Sequence, residues 1–258
     1  MSTFILKLMN SLGEHADQTA VYFNDTTLSY NKLDESIRRL AAGMQDLGVK
    51  KGDRVAIMLP NVPHFIISYY AALYLGAVVV PINFLNNSEE IYRQVAETES
   101  TLFITWQGFN KIVSQIAALP TCNNIIVLGE RIPQQAQSLT HLISMSTPLQ
   151  NPADLTDDDL AVINYTSGIA HQALGVELTH GALAASANLK AMAADIELEL
   201  STACKNIALD LGATEADVAP AEDKPGSQVQ AACGAAAKLI GEVKAQAGPT
   251  LTQDRGEA

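Results

Sequence analysis

The sequence predicts an α/β protein built on a mainly parallel sheet with flanking helices. Two observations carry this expectation. Strand-like and helix-like segments alternate through about the first 200 residues, the order that winds helices onto the faces of a parallel sheet. Several of the strands, "AVVV" ending at Val80 and "NNIIVLG" around Ile126 among them, are apolar throughout. Such runs mark strands buried on both faces.

Taken in order, "MSTFILKLMN" is a short apolar run interrupted by Lys7 with no small-residue cleavage site, so it does not read as a signal peptide. "AVYFNDTTLSY" reads as two short strands around an Asn24-Asp25 turn. A helix follows from about Asn31, with Leu33, Ile37, Leu40, Met44 and Leu47 on one face and Gly48 placed to end it. "KKGDRVAIMLP" supplies a charged turn and a strand, Val55 to Leu59. The uncharged stretch Phe65 to Ile82 approaches membrane-spanning length. Gly76 divides it, and its second part is β-branched, so a buried helix followed by a buried strand is expected. A further helix starts at "NNSEEIYRQVAETES", with Ser88 as its N-cap and Glu89 and Glu90 near the positive end of the helix dipole. Then come a strand "TLFIT", a helix "KIVSQIAAL", a strand "NNIIVLG", an acidic turn Asp157–Asp159 read as solvated rather than metal-binding, and a strand "LAVINY".

From about Leu200 the character changes. We expect residues 1–200 to form one α/β domain and residues 201–258 to form an Ala/Gly-rich tail, helical or poorly ordered, without aromatic residues. Within that tail Ala213 to Gly226 reads as linker. One helix is expected near 228–247, capped by Ser227, with Val229, Cys233, Ala236, Ile240 and Val243 on one face. Part of the tail, "LDLGATEADVAP", resembles the start of an acyl-carrier domain, but no Asp-Ser-Leu follows to carry a phosphopantetheine arm, so that reading is set aside.

Composition narrows the function. The formal net charge is −12, and a chain this acidic repels nucleic-acid phosphates and anionic membranes. Cys122, Cys204 and Cys233 form no CxxC pair, so neither a zinc site nor a disulfide framework is expected; reduced thiols fit a cytoplasmic protein. His15, His64 and His141 stand alone, without metal-ligand spacing. No nucleophile elbow, HExxH or Walker A sequence is present.

The chemistry-bearing stretch is "INYTSGIAHQALGVELTH", Ile163 to His180. A loop that holds a polyphosphate needs converging backbone N–H groups, glycines that allow unusual φ values, hydroxyl donors and a balancing cation. Its usual place is between a buried strand and a helix. "INYTSG" offers the strand, then Thr166, Ser167 and Gly168; "GVELTHGAL" offers Gly175 and a possible helix start at Thr179.

These residues resemble the signature Y-T-S-G-T-T-G-x-P-K-G-V-x-L-T-H of the AMP-forming acid–CoA ligases, members of the adenylate-forming superfamily. Tyr165, Thr166, Ser167, Gly168, Gly175, Val176, Leu178, Thr179 and His180 match at the right spacing. The segment from "LSYNKLDESIRRLAAG" to "NNSEEI" and the lead-in "LTDDDLAVINYTSG" are similar to the same family's N-terminal region, so the likeness covers about the first 195 residues. Fatty-acid–CoA ligases are the nearest in look. The resemblance implies a partial adenylate-forming N-terminal domain. It also implies a reaction in which Mg2+ and ATP adenylate a carboxylic acid and coenzyme A then displaces AMP. Thr166, Ser167, Gly168 and Gly175 would be what this chain keeps of the ATP phosphate loop.

The match fails at the centre of that loop. Where the family has Thr-Thr-Gly this chain has Ile169, Ala170 and His171, and where it has Pro-Lys this chain has Ala173 and Leu174. Two hydroxyls, a glycine and the cation are lost. The family's later motifs, including the ribose-binding T-G-D and the lysine of the small C-terminal domain, do not follow residue 200. The sequence is therefore expected to be a truncated ligase-like chain that does not complete the reaction and that has no catalytic residue or metal site of its own. The alternative is a non-enzymatic module that self-associates, or pairs with a full-length ligase, through uncovered sheet and helix surface.

Overall fold

The computed structural model describes residues 4–166 and 173–188. Ser167, Gly168, Ile169, Ala170 and His171, and the whole 201–258 tail with its expected helix, lie outside the described residues.

The chain opens with helix α1 (Phe4–Glu14), which buries Ile5 and Leu12. Sequence reading gave this segment no element, because Lys7 interrupts a run too short to show a clear period. Strands β1 (Thr19–Phe23) and β2 (Thr26–Ser29) pair antiparallel as a separate two-stranded sheet. Asn24 turns between them at φ 49°, a left-handed conformation that Asn tolerates well. Helix α2 (Tyr30–Asp46) begins where the Ser29 side chain accepts from the Lys32 N–H, and buries Leu33, Ile37, Leu40 and Met44 along one face. Gly48, at φ 91°, lets the chain turn out of that helix.

Strand β3 (Arg54–Met58), helix α3 (Pro63–Tyr74) and strand β4 (Val78–Pro81) account for the long uncharged stretch as a buried helix and strand. Among the described residues no helix is long and apolar enough to cross a membrane. Helix α4 (Ser88–Glu97) follows, and here the sequence expectation is corrected: its N-cap is Asn87, not Ser88. The Asn87 side chain accepts from the Glu90 N–H at 2.9 Å, and Ser88 is the first helical residue. Both residue types cap well, and the loop geometry puts the acceptor one position earlier. Strand β5 (Leu102–Trp106), helix α5 (Asn110–Ile116) and strand β6 (Asn124–Leu128) repeat the unit. A two-residue strand β7 (Gln137–Ser138) and helix α6 (Leu139–Met145) come next, both unmarked by any strong sequence period. Strand β8 (Leu160–Tyr165) and strand β9 (Gly175–Thr179) close the order, and residues 180–188 are helical.

The main sheet runs β7-β6-β5-β3-β4-β8-β9, parallel except for the last pair. From β3 the chain crosses by α3 to β4 on one side, then by α4 and α5 to β5 and β6 on the other. Right-handed crossovers in opposite directions place their helices on opposite faces. Alternation along the strands shows both faces filled. Val55, Ile57, Val79, Leu102 and Ile104 pack with α1, α2, α3 and α6. Ala56, Met58, Val80, Phe103 and Val127 pack with α4 and α5. This is why the strands read as unbroken apolar runs.

Candidate functional site

The loop in question leaves the carboxyl end of β8. That strand lies parallel to β4, Val79 opposite Val162, so the loop sits at the edge where parallel α/β sheets hold their ligands. The described residues give its two legs. Thr166 N–H donates to the Leu174 carbonyl at 3.0 Å, and Leu174 N–H donates to the Thr166 hydroxyl oxygen at 3.1 Å. Thr166 therefore closes the base of the loop, and its oxygen is engaged locally.

The helix starts where the sequence suggested, with the Thr179 hydroxyl accepting from the Ala182 N–H at 3.2 Å, but the leg before it is a strand that sequence reading did not mark. Gly175 to Thr179 form β9, which pairs antiparallel with β8 from Tyr165↔Gly175 to Leu160↔Thr179. Its period-two pattern spans only five residues, too few to separate strand from loop by sequence alone. Gly175 lies inside this pairing. A Cβ there would stand 3.0 Å from Ile163 Cγ2, so the hairpin itself has a packing use for glycine. Ser167 and Gly168 fall in the part of the loop outside the described residues.

The position that the resemblance gives to a lysine holds Leu174, with 69% of its surface exposed. The cation that does reach this leg is Arg93 of α4, whose Nη2 donates to the Ala173 carbonyl at 3.3 Å. Its charge is already matched. Nη1 lies 2.7 Å from Glu97 and Nη2 lies 2.6 Å from Glu90. These bonds hold the Arg93 guanidinium above its ordinary pKa and the Glu90 carboxyl below its own. The guanidinium also lies over the Tyr165 ring, 5.8 Å from its centroid. The Tyr165 hydroxyl donates to Glu97 at 3.2 Å, and burial, with Glu97 beside it, pushes the phenol up to about 12. Sequence reading missed Arg93. The i−3 and i+4 carboxylates around it are visible in "EEIYRQVAE", but its contact with Ala173 is long-range.

Beneath β9, His180 opens the helical segment 180–188 and is fully buried. Its N–H donates to the Asp159 carbonyl at 3.0 Å, and the Gly181 N–H donates to the Asp157 carbonyl at 2.8 Å. The expected acidic turn thus braces this corner. Asp159 accepts from the Thr156 N–H and from Lys51 Nζ, contacts that hold its carboxyl below the usual range. Among the described residues, neither imidazole nitrogen of His180 has a hydrogen-bond partner. Burial lowers its pKa, outweighing the nearby Asp159 and Asp157 charges, with Lys51 adding to the lowering. The native state therefore holds His180 neutral while the unfolded chain takes up a proton below about pH 6.5. Stability from this residue is fully present above that pH and is lost as pH falls towards the folded value. The difference in urea midpoint between pH 7.5 and pH 5.5 is expected to shrink in His180→Leu, while half-buried His64, lowered in the same direction, keeps part of it.

Among the described residues, the two legs bring a magnesium-bound triphosphate no unpaired cation: Leu174 stands at the lysine position, and Arg93 is already matched by Glu90 and Glu97. Legs without free positive charge do not fit the group.

A mainly parallel α/β sheet with a loop leaving the carboxyl end of an inner strand defines the class of fold. Comparison with known proteins gives the family. The AMP-binding enzyme family matches residues 9–211. Crotonobetaine/carnitine–CoA ligases from Salmonella agona and Salmonella typhimurium are each 32% identical over 179 residues, covering 65% of this chain and 34% of theirs. Among solved structures, the N-terminal domain of FACL13 from Mycobacterium tuberculosis superposes with a TM-score of 0.63 at 26% identity, covering 70% of this chain and 45% of that one. An anthranilate CoA ligase in complex with anthranoyl-AMP superposes with a TM-score of 0.66 at 22% identity, over 69% of this chain and 35% of its own, a likeness of fold. The chain belongs to the AMP-binding enzyme family. It spans about a third of the length of the curated relatives it matches.

Proposed function

We propose that this polypeptide is an acid–CoA ligase-like chain that does not itself adenylate a carboxylic acid, the acid of its lineage being a fatty acid. The observation that carries this reading is the state of the loop legs. Leu174 stands where the family pattern has lysine, and its side chain is exposed at the loop leg. Phosphoryl-group activation depends on positioning and on neutralising developing charge. A leucine supplies no charge, and Arg93 is held by Glu90 and Glu97.

The reading is tested by ATP–pyrophosphate exchange with the pure chain over a panel of fatty acids of increasing length. No exchange above the acid-free background is expected. Acid-dependent exchange with any member of the panel would overturn the reading.

A second reading is favoured by one feature. β9 is an edge strand among the described residues, and around it Leu174 is 69% and Val176 46% exposed. An apolar edge of this kind suits association, either with a second copy or with a full-length ligase. Light scattering of the eluted chain alone and mixed with a ligase distinguishes it: a monomer in both would remove the support for this reading.

A further inference from the structure

Away from the loop, a cavity of about 280 Å³ opens between the β1–β2 hairpin and helices α2, α3 and α6. Its walls are largely apolar, with Val21, Leu28, Ile67 and Ile143 facing one another, and no Lys, Arg, Asp or Glu lines it. The polar groups are few, and several are already engaged. Ser36 donates to the Lys32 carbonyl at 2.7 Å, Thr26 donates to the Phe23 carbonyl at 2.8 Å, and the Thr140 hydroxyl lies 3.0 Å from Ser138 Oγ. That leaves the His64 imidazole and the Thr27 hydroxyl for a ligand.

Size and charge together define what fits. An apolar cavity of about 150 Å³ accepts benzene, so this one has room for a fused two-ring molecule. A charged ligand would leave water without a counter-charge, which is costly. Burial lowers the His64 pKa, so near neutral pH the ring presents one acceptor nitrogen and one donor. We propose that this cavity is a binding site for an uncharged, mainly apolar molecule of about naphthalene size, oriented by one hydroxyl that hydrogen-bonds to His64. The hairpin is not part of the main sheet, and a two-stranded sheet alone is marginal. A molecule seated here fastens it to α3 and α6.

The test is a fluorescence titration of the full chain with 2-naphthol, with naphthalene and 2-naphthalenesulfonate as comparison probes. One saturable 2-naphthol site per chain is expected, several-fold tighter than naphthalene, as one neutral hydrogen bond gives. The sulfonate is expected to bind at least about tenfold more weakly, since its charge has no partner. Ile143→Trp, which fills the cavity, is expected to abolish binding. His64→Leu is expected to remove the preference for 2-naphthol while leaving naphthalene binding in place. If circular dichroism shows that Ile143→Trp is unfolded, the His64→Leu comparison decides. Non-saturable binding, equal binding of the sulfonate, or an unchanged preference in His64→Leu would overturn the proposal.

Discussion

Replacing Ile169, Ala170, His171, Ala173 and Leu174 by Thr, Thr, Gly, Pro and Lys is expected to strengthen binding of magnesium tripolyphosphate by about a hundredfold or more. The largest share comes from Leu174→Lys. A charge-assisted hydrogen bond contributes about 1.5–3 kcal/mol, or roughly ten- to a hundredfold in affinity. The two threonine hydroxyls add donors, and the glycine restores φ freedom to the turn. Leu174 is 69% exposed, so a lysine there meets no steric obstacle. Inorganic tripolyphosphate is the suitable probe because it isolates the phosphate contacts from any adenosine pocket. Unchanged affinity in a folded variant would mean that these positions do not govern phosphate binding.

The second large effect concerns the fold. Phe103 is the second residue of β5, fully buried against the residues that pack with α4 and α5. Truncating a buried Phe removes transfer free energy and leaves a cavity, at a cost of about 3–5 kcal/mol. Phe103→Ala is therefore expected to lower the urea midpoint severely, by a large part of the stability of a typical domain. Trp106, at the end of the same strand and 38% exposed, is expected to cost far less when cut to alanine. A similar loss at both positions would contradict the assignment of Phe103 to a packed interior.

These two expectations draw on different levels of information. The interior was legible in the sequence because its elements are strongly periodic. Leu33, Ile37, Leu40 and Met44 repeat along one helical face, and β3, β4, β5 and β6 are apolar along their length because both faces are covered. The local turn at Asn24 and the exit at Gly48 were also legible, since each rests on the chemistry of one residue. What sequence could not show depends on partners far along the chain. β9 is a strand because β8 is beside it. Arg93 matters to the loop because α4 brings it to Ala173, 80 positions away. His180 is poorly served because burial strips its water, which its place at the start of a helix did not reveal. At the loop itself, the substitutions were plain in the sequence. The local use of the Thr166 hydroxyl needed coordinates.

The measurement that bears most directly on this account is a calorimetric titration of the unaltered chain with ATP in the presence of magnesium. No saturable heat is expected at micromolar to millimolar nucleotide, and no difference between the unaltered chain and Thr166→Val. Tight, magnesium-dependent binding that is lost in Thr166→Val would contradict it.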